Sequence, residues 1–253
     1  MSGRASPGWR FAIHDALPST QDACRDAGRA GVPEGLAVLA RRQTEGRGTN
    51  GRLWQSPPGN LSLSVLLRPA EPARASGEWS LLAAVALADA MAATLAGCAN
   101  AVTLKWPNDV LLRGRKVAGI LTEGEAGGDG RLAFLVIGFG VNLAVAPEVS
   151  DRPVASLAEL TEPPAPDVFA RALLAQLDRW RRRRMRHGFA AVREAWLTRG
   201  PARGAPIALR SGTATRHGAF AGLGSDGSLL LATGARVQAF AAGEVLAAPT
   251  GAG

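Results

Sequence analysis

Four short apolar runs, Thr103–Lys105, Val110–Leu112, Lys116–Glu123 and Leu132–Gly138, follow one another with only turns between them. Runs of this length, bounded by glycine, proline and asparagine, read as strands. The first two are joined by Trp106-Pro107-Asn108-Asp109, where proline stops any helix from passing through. The last two are joined by Gly127-Gly128-Asp129-Gly130, a hairpin-turn sequence. The middle of the chain is therefore committed to a sheet.

The flanking segments supply its neighbours. Arg10–His14 reads as a strand, and Ser19-Thr20-Gln21-Asp22 as a hydroxyl N-cap with a carboxylate three residues on, opening a helix to about Gly28. Leu36–Arg41 and Asn60–Leu67 read as strands, the second with Leu61, Leu63 and Val65 on one face. Glu78–Leu95 is helical. Its Ala-rich part, Leu81–Leu95, is broken by Asp89 and reads as a buried helix, not a membrane span. Pro163, Pro164 and Pro166 precede a long helix, and a second short helix carries Phe189, Val192 and Trp196. After Gly200-Pro201 short strands alternate with Ser211-Gly212 and Gly224–Gly227, a texture that fits a separate small β-barrel. Residues 1–202 are thus expected to form one domain and 203–253 a small second one.

Hydrophobic content of 47% with 20% charged residues is ordinary for a globular chain. Met1–Trp9 lack the charged-then-apolar layout of a leader, so the expected location is the cytoplasm. Cys24 and Cys98 match no metal or redox spacing and read as two free buried thiols. His14, His187 and His217 show no paired spacing, which argues against a histidine-based metal site. The net charge of +8 raises the question of nucleic acid. Much of it lies in Arg179, Arg181, Arg182, Arg183, Arg184 and Arg186, behind the helical-period residues Phe169, Leu173, Leu174, Leu177 and Trp180. Arginines at the end of a helix favour the negative pole of its dipole and need no partner. A solvated helix end is the plainer reading and docking of an acidic surface the other. No aromatics are interleaved with the charges as a single-strand groove requires.

Only two lysines occur among 29 basic residues, and both, Lys105 and Lys116, fall beside the Trp-Pro-Asn-Asp turn. A compact ammonium and a planar guanidinium do not exchange freely where one oxygen must be met end-on. A second signal is Gly46-Arg47-Gly48-Thr49-Asn50-Gly51, which fits the dinucleotide fingerprint letter for letter. That fingerprint must open a helix, and Arg52-Leu53-Trp54-Gln55-Ser56-Pro57-Pro58-Gly59 cannot. What remains is a mobile loop whose backbone amides are free and whose Arg47 and Arg52 can fork onto phosphate or carboxylate oxygens.

Taken together these segments resemble the biotin protein ligases, from about Phe11 to Leu246 and in one order. The family's Ser-Thr-Asn/Gln is matched by Ser19–Gln21, its Gly-Arg-Gly-Arg-x-Gly-Arg-x-Trp loop by Gly46–Trp54, and its Ser-Pro-x-Gly-Asn-Leu by Ser56–Leu61. Lys-Trp-Pro-Asn-Asp stands at Lys105–Asp109, Lys-x-Ala-Gly-Ile-Leu at Lys116–Leu121 and Gly-x-Gly-x-Asn at Gly138–Asn142. The resemblance implies an α+β fold related to the class II aminoacyl-tRNA synthetases and lipoate ligases, with a mixed sheet and a small C-terminal β-barrel.

It also implies a chemistry: biotin and ATP give biotinyl-5′-AMP, and biotin then passes to a lysine of the biotin carboxyl carrier protein of acetyl-CoA carboxylase. Ser19, Thr20, Gln21, Gln43, Gly46, Arg47, Gly48, Trp54, Lys116 and Gly119 resemble the family's biotin-binding set. Arg47, Arg52, Trp54, Lys105, Asn108, Asp109, Lys116 and Asn142 resemble its ATP-binding set. Lys116, Arg47 and Arg52 are the expected catalytic residues, and Asp109 and Asn142 the expected holders of Mg²⁺. Lys105 is left between a structural role and phosphate binding. The resemblance further implies a possible homodimer through a sheet edge, with Leu132–Ile137 as candidate strand. No apolar run reaches the length of a membrane span, so no membrane association is expected.

One departure stands out: Thr49 replaces the second arginine of the loop, which removes a charge from the grip on an adenylate. Three other functions compete. A lipoate ligase would share the chemistry, but the polar Ser-Thr-Gln suits a ureido ring better than a dithiolane. A biotin-sensing DNA-binding regulator needs an N-terminal helix-turn-helix, for which about ten residues leave no room, so no specific DNA binding is expected. A non-catalytic biotin binder would not need Lys116 or Asn142.

Overall fold

The computed structural model describes residues 8–95, 97–149 and 153–246. Most of the Met1–Trp9 leader reading, and the end of the expected second domain, lie outside the described residues. The chain begins with β1 (Arg10–Leu17), α1 (Thr20–Arg29) and β2 (Leu36–Gln43), with β1 and β2 parallel. β3 (Leu61–Leu67) and α2 (Ser76–Thr94) follow, then β4 (Val102–Lys105), β5 (Asp109–Leu112), β6 (Arg115–Ala126) and β7 (Leu132–Val141). The seven strands form one mixed sheet in the order β1-β2-β3-β7-β6-β5-β4, antiparallel from β2 onward.

β3 explains how the two faces differ. All seven of its residues are buried, and its side chains alternate between faces. Leu61, Leu63, Val65 and Leu67 join the main core with α2 and with α3 (Pro166–Leu197), whereas Leu66 belongs to the smaller cluster of Cys24, Val38, Phe134 and Val136 beside α1. Ser62 and Ser64 also fall on the α1 face, which makes it the face with polar groups to offer. α2 lacks a polar face because the sheet covers one side and α3 the other. Its one interior charge, Asp89, accepts from Trp180 Nε1 at 2.7 Å and pairs with Arg199 at 2.7 Å. The burial read from the sequence holds, and the charge that interrupted the apolar run is anchored.

The two expected C-terminal helices run on as α3, broken at Gly188, where φ is 70° and ψ −177°. The arginine run does close a helical segment, but it is not simply a solvated end: Arg179, Arg182, Arg183 and Arg186 are exposed, whereas Arg181 pairs with Glu34 at 3.2 Å and Arg184 with Glu71 and Glu78. β8 (Pro206–Ser211), β9 (Ala214–Leu223), β10 (Leu229–Thr233), β11 (Arg236–Phe240) and β12 (Glu244–Leu246) form an antiparallel sheet in the order β11-β10-β9-β8-β12. Among the described residues its ladder runs from β11 to β12, each with one neighbour, and this antiparallel unit stands where the small C-terminal β domain was expected. Leu209, Phe220 and Leu231 continue the core of the large sheet, and Trp196 meets Phe220 with ring centroids 6.3 Å apart.

Two further expectations are corrected. Leu132–Ile137 is not an edge, because β7 is hydrogen-bonded to β3 on one side and β6 on the other. The edges of the large sheet are β1 and β4. Cys24 is buried, and burial pushes its thiol up to about 12, but Cys98 is exposed in the turn before β4. No helix among the described residues is long and apolar enough to cross a membrane.

Candidate active site

The polar α1 face carries a connected run of hydroxyl and amide groups. Ser19 caps α1, its Oγ accepting from the Asp22 amide at 3.3 Å. Thr20 donates its amide to Gln43 Oε1 at 2.8 Å, and its hydroxyl lies 2.9 Å from that of Ser64. Ser64 donates to Gln21 Oε1 at 3.1 Å, and Gln21 Nε2 donates to Glu123 Oε2 at 2.9 Å. Gln43 Nε2 donates to Ser56 Oγ at 3.0 Å. Ser19, Thr20, Gln21 and Ser64 are buried, and such groups are tolerated in a core only when partnered, as they are here. The result is a preformed cleft suited to a neutral polar ligand.

Glycines open the floor of this cleft. A Cβ at Gly138 would stand 2.5 Å from Gln21 Oε1, and one at Gly140 would stand 2.2 Å from the Trp54 ring. Gly119 lies under the same ring, with its Cβ position 3.2 Å away. Trp54 therefore rests on β6 and β7 where side chains are absent.

Trp54 ends the glycine-rich loop, which folds as a small hairpin. The Trp54 amide donates to Gly46 O and the Gly48 amide to Arg52 O, each at 2.8 Å. Gly46 permits this approach, since a Cβ there would meet Trp54 O at 2.3 Å. The tip, Thr49–Gly51, is one 3-10 turn with Asn50 at φ 57°, after which Arg52 is extended. The loop opens no α-helix, in keeping with the rejection of a dinucleotide fold.

Both loop arginines are held by carboxylates. Arg47 pairs with Asp22 at 2.6 Å and Glu123 at 2.8 Å; burial works against its charge, and Glu123 and Asp22 more than offset it. Arg52 forks onto both oxygens of Glu244 in β12, each at 2.8 Å, and Arg210 reaches the same carboxylate. The Arg52 bonds, with Arg210 second, hold the Glu244 carboxyl down at about 2.

Lys116 stands at the junction of two cavities. The first is the polar cleft just described, also reached by Arg47, Gly48 and Asn108; the second, of about 200 Å³, is lined by Arg52, Leu53, Trp54 and Asn142. Lys116 Nζ lies 5.7 Å from the Trp54 ring centroid and 2.5 Å from Asp109 Oδ1. Lys105 Nζ lies 3.0 Å from the other oxygen, Asp109 Oδ2. Burial opposes ionisation of Asp109, but the two ammonium groups outweigh it and hold its carboxyl below the ordinary range.

Of the residues singled out in the sequence, Gly46, Lys105 and Asp109 line neither cavity. Asn108 donates to Ile120 O at 2.7 Å. Asn142 donates to Ala155 O at 3.0 Å, and its oxygen faces Asn60 Nδ2 at 3.4 Å. With both oxygens of Asp109 held by ammonium groups and the Asn142 amide engaged at both ends, this pair does not fit a Mg²⁺ ligand set, which calls for several free oxygen donors. Among the described residues no cluster of three or more His, Cys, Asp or Glu could hold a metal.

Sequence reasoning missed Ser64, Asp22, Glu123 and Glu244. Ser62 and Ser64 interrupt a leucine-rich strand, a signal that was available. Glu244 gave none, since it stands 192 positions from Arg52.

Fold and site together define a class: an α+β catalytic unit in which a neutral polar cleft and a wider cavity meet at one ammonium group under a glycine-rich loop. The chain belongs to the biotin/lipoate A/B protein ligase family, whose sequence pattern matches residues 15–142. It is 42% identical over 214 residues to a biotin–[acetyl-CoA-carboxylase] ligase of Paracoccus denitrificans, covering 82% of this chain and 88% of that one. It is 33% identical to the bifunctional ligase/repressor BirA of Bacillus subtilis, over 89% of this chain and 70% of the other. The biotin protein ligase of Aquifex aeolicus, solved with biotin and ATP, superposes with a TM-score of 0.78 at 25% identity, over 93% of this chain and 97% of that one. The resemblance read from the motifs is borne out.

Proposed function

We propose that this chain is a biotin–[acetyl-CoA-carboxylase] ligase. It condenses biotin with ATP to biotinyl-5′-AMP, releases pyrophosphate, and transfers biotin to one lysine of the biotin carboxyl carrier protein in the cytoplasm. One observation carries the reading: Lys116 lies where the polar cleft and the wider cavity meet, so one ammonium can serve ligands in both.

In this reading the cleft of Ser19, Thr20, Gln21 and Gln43 takes the uncharged ureido head, and Gly119 and Trp54 cover the body of biotin. The wider cavity takes the nucleotide, which enters as its Mg²⁺ complex with ATP. A biotin carboxylate oxygen attacks the α-phosphorus, the bond to the bridging oxygen breaks, and pyrophosphate leaves. Charge grows on the α-phosphoryl oxygens, and the ammonium of Lys116 binds them more tightly there than in the ground state. Arg47 and Arg52 release their carboxylates and fork onto the phosphates as the loop closes. The deprotonated lysine amine of the carrier then attacks the acyl carbon, and AMP departs.

Biotin-dependent exchange of labelled pyrophosphate into ATP tests the first half reaction. Exchange with biotin and not with lipoate supports the reading; exchange with lipoate alone transfers it to the lipoate branch. No exchange with either substrate rejects it. Transfer to a purified carrier domain, followed by mass, tests the second half reaction.

A further inference from the structure

Lys105 is the other lysine of the chain, and the mechanism above gives it no task. Its ammonium lies 3.0 Å from Asp109 Oδ2, while Lys116 holds Oδ1 at 2.5 Å. Asp109 itself is buried, with 6% of its surface exposed. The two lysines reach it in different ways. Lys105 and Asp109 face each other across the β4–β5 ladder, four residues apart around a tight turn, so that contact is local. Lys116 comes from β6 beyond a register shift in the β5–β6 ladder and borders both cavities. Lys105 borders neither.

We propose that Lys105 is a positioning residue: it keeps the Asp109 carboxylate compensated when Lys116 turns from it to the α-phosphate. This rests on the adenylation reading of Lys116. A buried carboxylate left without a cation draws its partner back, because a charge in a poorly solvated site must stay paired. With a second ammonium already on the other oxygen, departure of Lys116 leaves a neutral pair behind. The exchange is then between two nearly equal arrangements, and the energy of the phosphate contact is not spent on separating ions.

The same geometry explains the residue type. The chain holds 29 basic side chains and only two are lysine. A guanidinium at position 105 would fork onto both carboxylate oxygens and exclude Lys116. An ammonium meets one oxygen end-on and leaves the second open.

The test measures kcat and KM for biotin in pyrophosphate exchange with the full chain and four variants: Lys105→Met, Lys105→Arg, Asp109→Asn, and Lys105→Met with Asp109→Asn. Lys105→Met should lower kcat about tenfold or more, on the scale of coupling between charges in contact, with KM for biotin unchanged. Lys105→Arg should not rescue it. In the Asp109→Asn background, Lys105→Met should cost nothing further. An unchanged kcat in Lys105→Met overturns the proposal, as does full rescue by arginine. An equal loss in both backgrounds also overturns it, since Lys105 would then act independently of Asp109. Loss of biotin affinity in Lys105→Met would assign the residue to folding of the site and overturns it likewise. If the unsubstituted chain shows no biotin-dependent exchange, the adenylation reading itself has failed, a result that needs no variant.

Discussion

The glycine-rich loop carries two arginines and the buried carboxylate of Asp109 gathers two lysines, and the two pairs of cations are held in opposite ways. Arg47 and Arg52 are bound from outside, by carboxylates on α1, β6 and β12, and their side chains remain 37% and 34% exposed. Lys105 and Lys116 are bound from inside, on one buried carboxylate, with 21% and 14% exposed. Water can replace a lost partner for the first pair and much less readily for the second. Solvated ion pairs are worth little and exchange easily, whereas a buried one is costly to break. The loop arginines are thus built to let go, and Asp109 to keep at least one cation.

Asp109→Ala should do the greatest harm, because it leaves two ammonium groups facing each other in a mostly buried site. Losing one member of such a group costs about 3–5 kcal/mol, which for a chain of this size lowers Tm by about 10 °C. A melting curve checks it, and a shift under 2 °C would place the two lysines in solvent instead. Lys116→Arg should fold normally and lose adenylate formation by about 10²–10³, the usual cost of one transition-state donor. Near-normal pyrophosphate exchange would give Lys116 a structural role.

On the loop side the effects should be smaller. Thr49→Arg should slow release of preformed biotinyl-adenylate by about tenfold or more, since one well-formed charge-assisted bond contributes roughly 1.5–3 kcal/mol. Equal off-rates would show that Thr49 faces away from the ligand. The Arg52–Glu244 tie should be insensitive to pH over the neutral range. Glu244 has a depressed folded pKa, so its contribution is complete above the unfolded value near 4.5 and is lost as pH falls toward about 2. Protease cleavage in Gly46–Arg52 should therefore keep one rate from pH 8 to 5.5 and rise in Glu244→Gln. Cleavage that accelerates between pH 7 and 5.5 would break the comparison.

Local signals were legible in the sequence and long-range ones were not. Every strand of the large sheet was visible as an apolar run between turn residues, because burial and turn chemistry act within a few positions. The order of those strands was not. β7 pairs with β3 across 68 to 80 positions, which no sequence window reveals, so its place inside the sheet has no local signal. The break in α3 was visible as the boundary between two helices, because glycine marks it. In the site, the motifs named the cations and amides, but their carboxylate partners Asp22, Glu123 and Glu244 come from elsewhere in the chain. A carboxylate on a surface strand looks the same in sequence whether it meets water or an arginine.

The single parallel pair in the sheet, β1 with β2, has a consequence for how the site tolerates change. Leu17 and Gln43 stand side by side at the ends of these strands. The chain leaves β1 there to begin α1 and leaves β2 there to begin the glycine-rich loop, so Leu17 and Gln43, 26 residues apart in sequence, emerge from one rim. The return path between them, from Ala30 to Gly35, lies at the opposite rim. Lengthening that return loop should leave the rim untouched, whereas a single residue inserted between Leu17 and Ser19 would rotate the helix cap away from Gln43. The rim that bears the candidate site and the rim that bears the return loop are separated by the length of one crossover, so a change of loop length is felt differently at the two ends of the same strand pair.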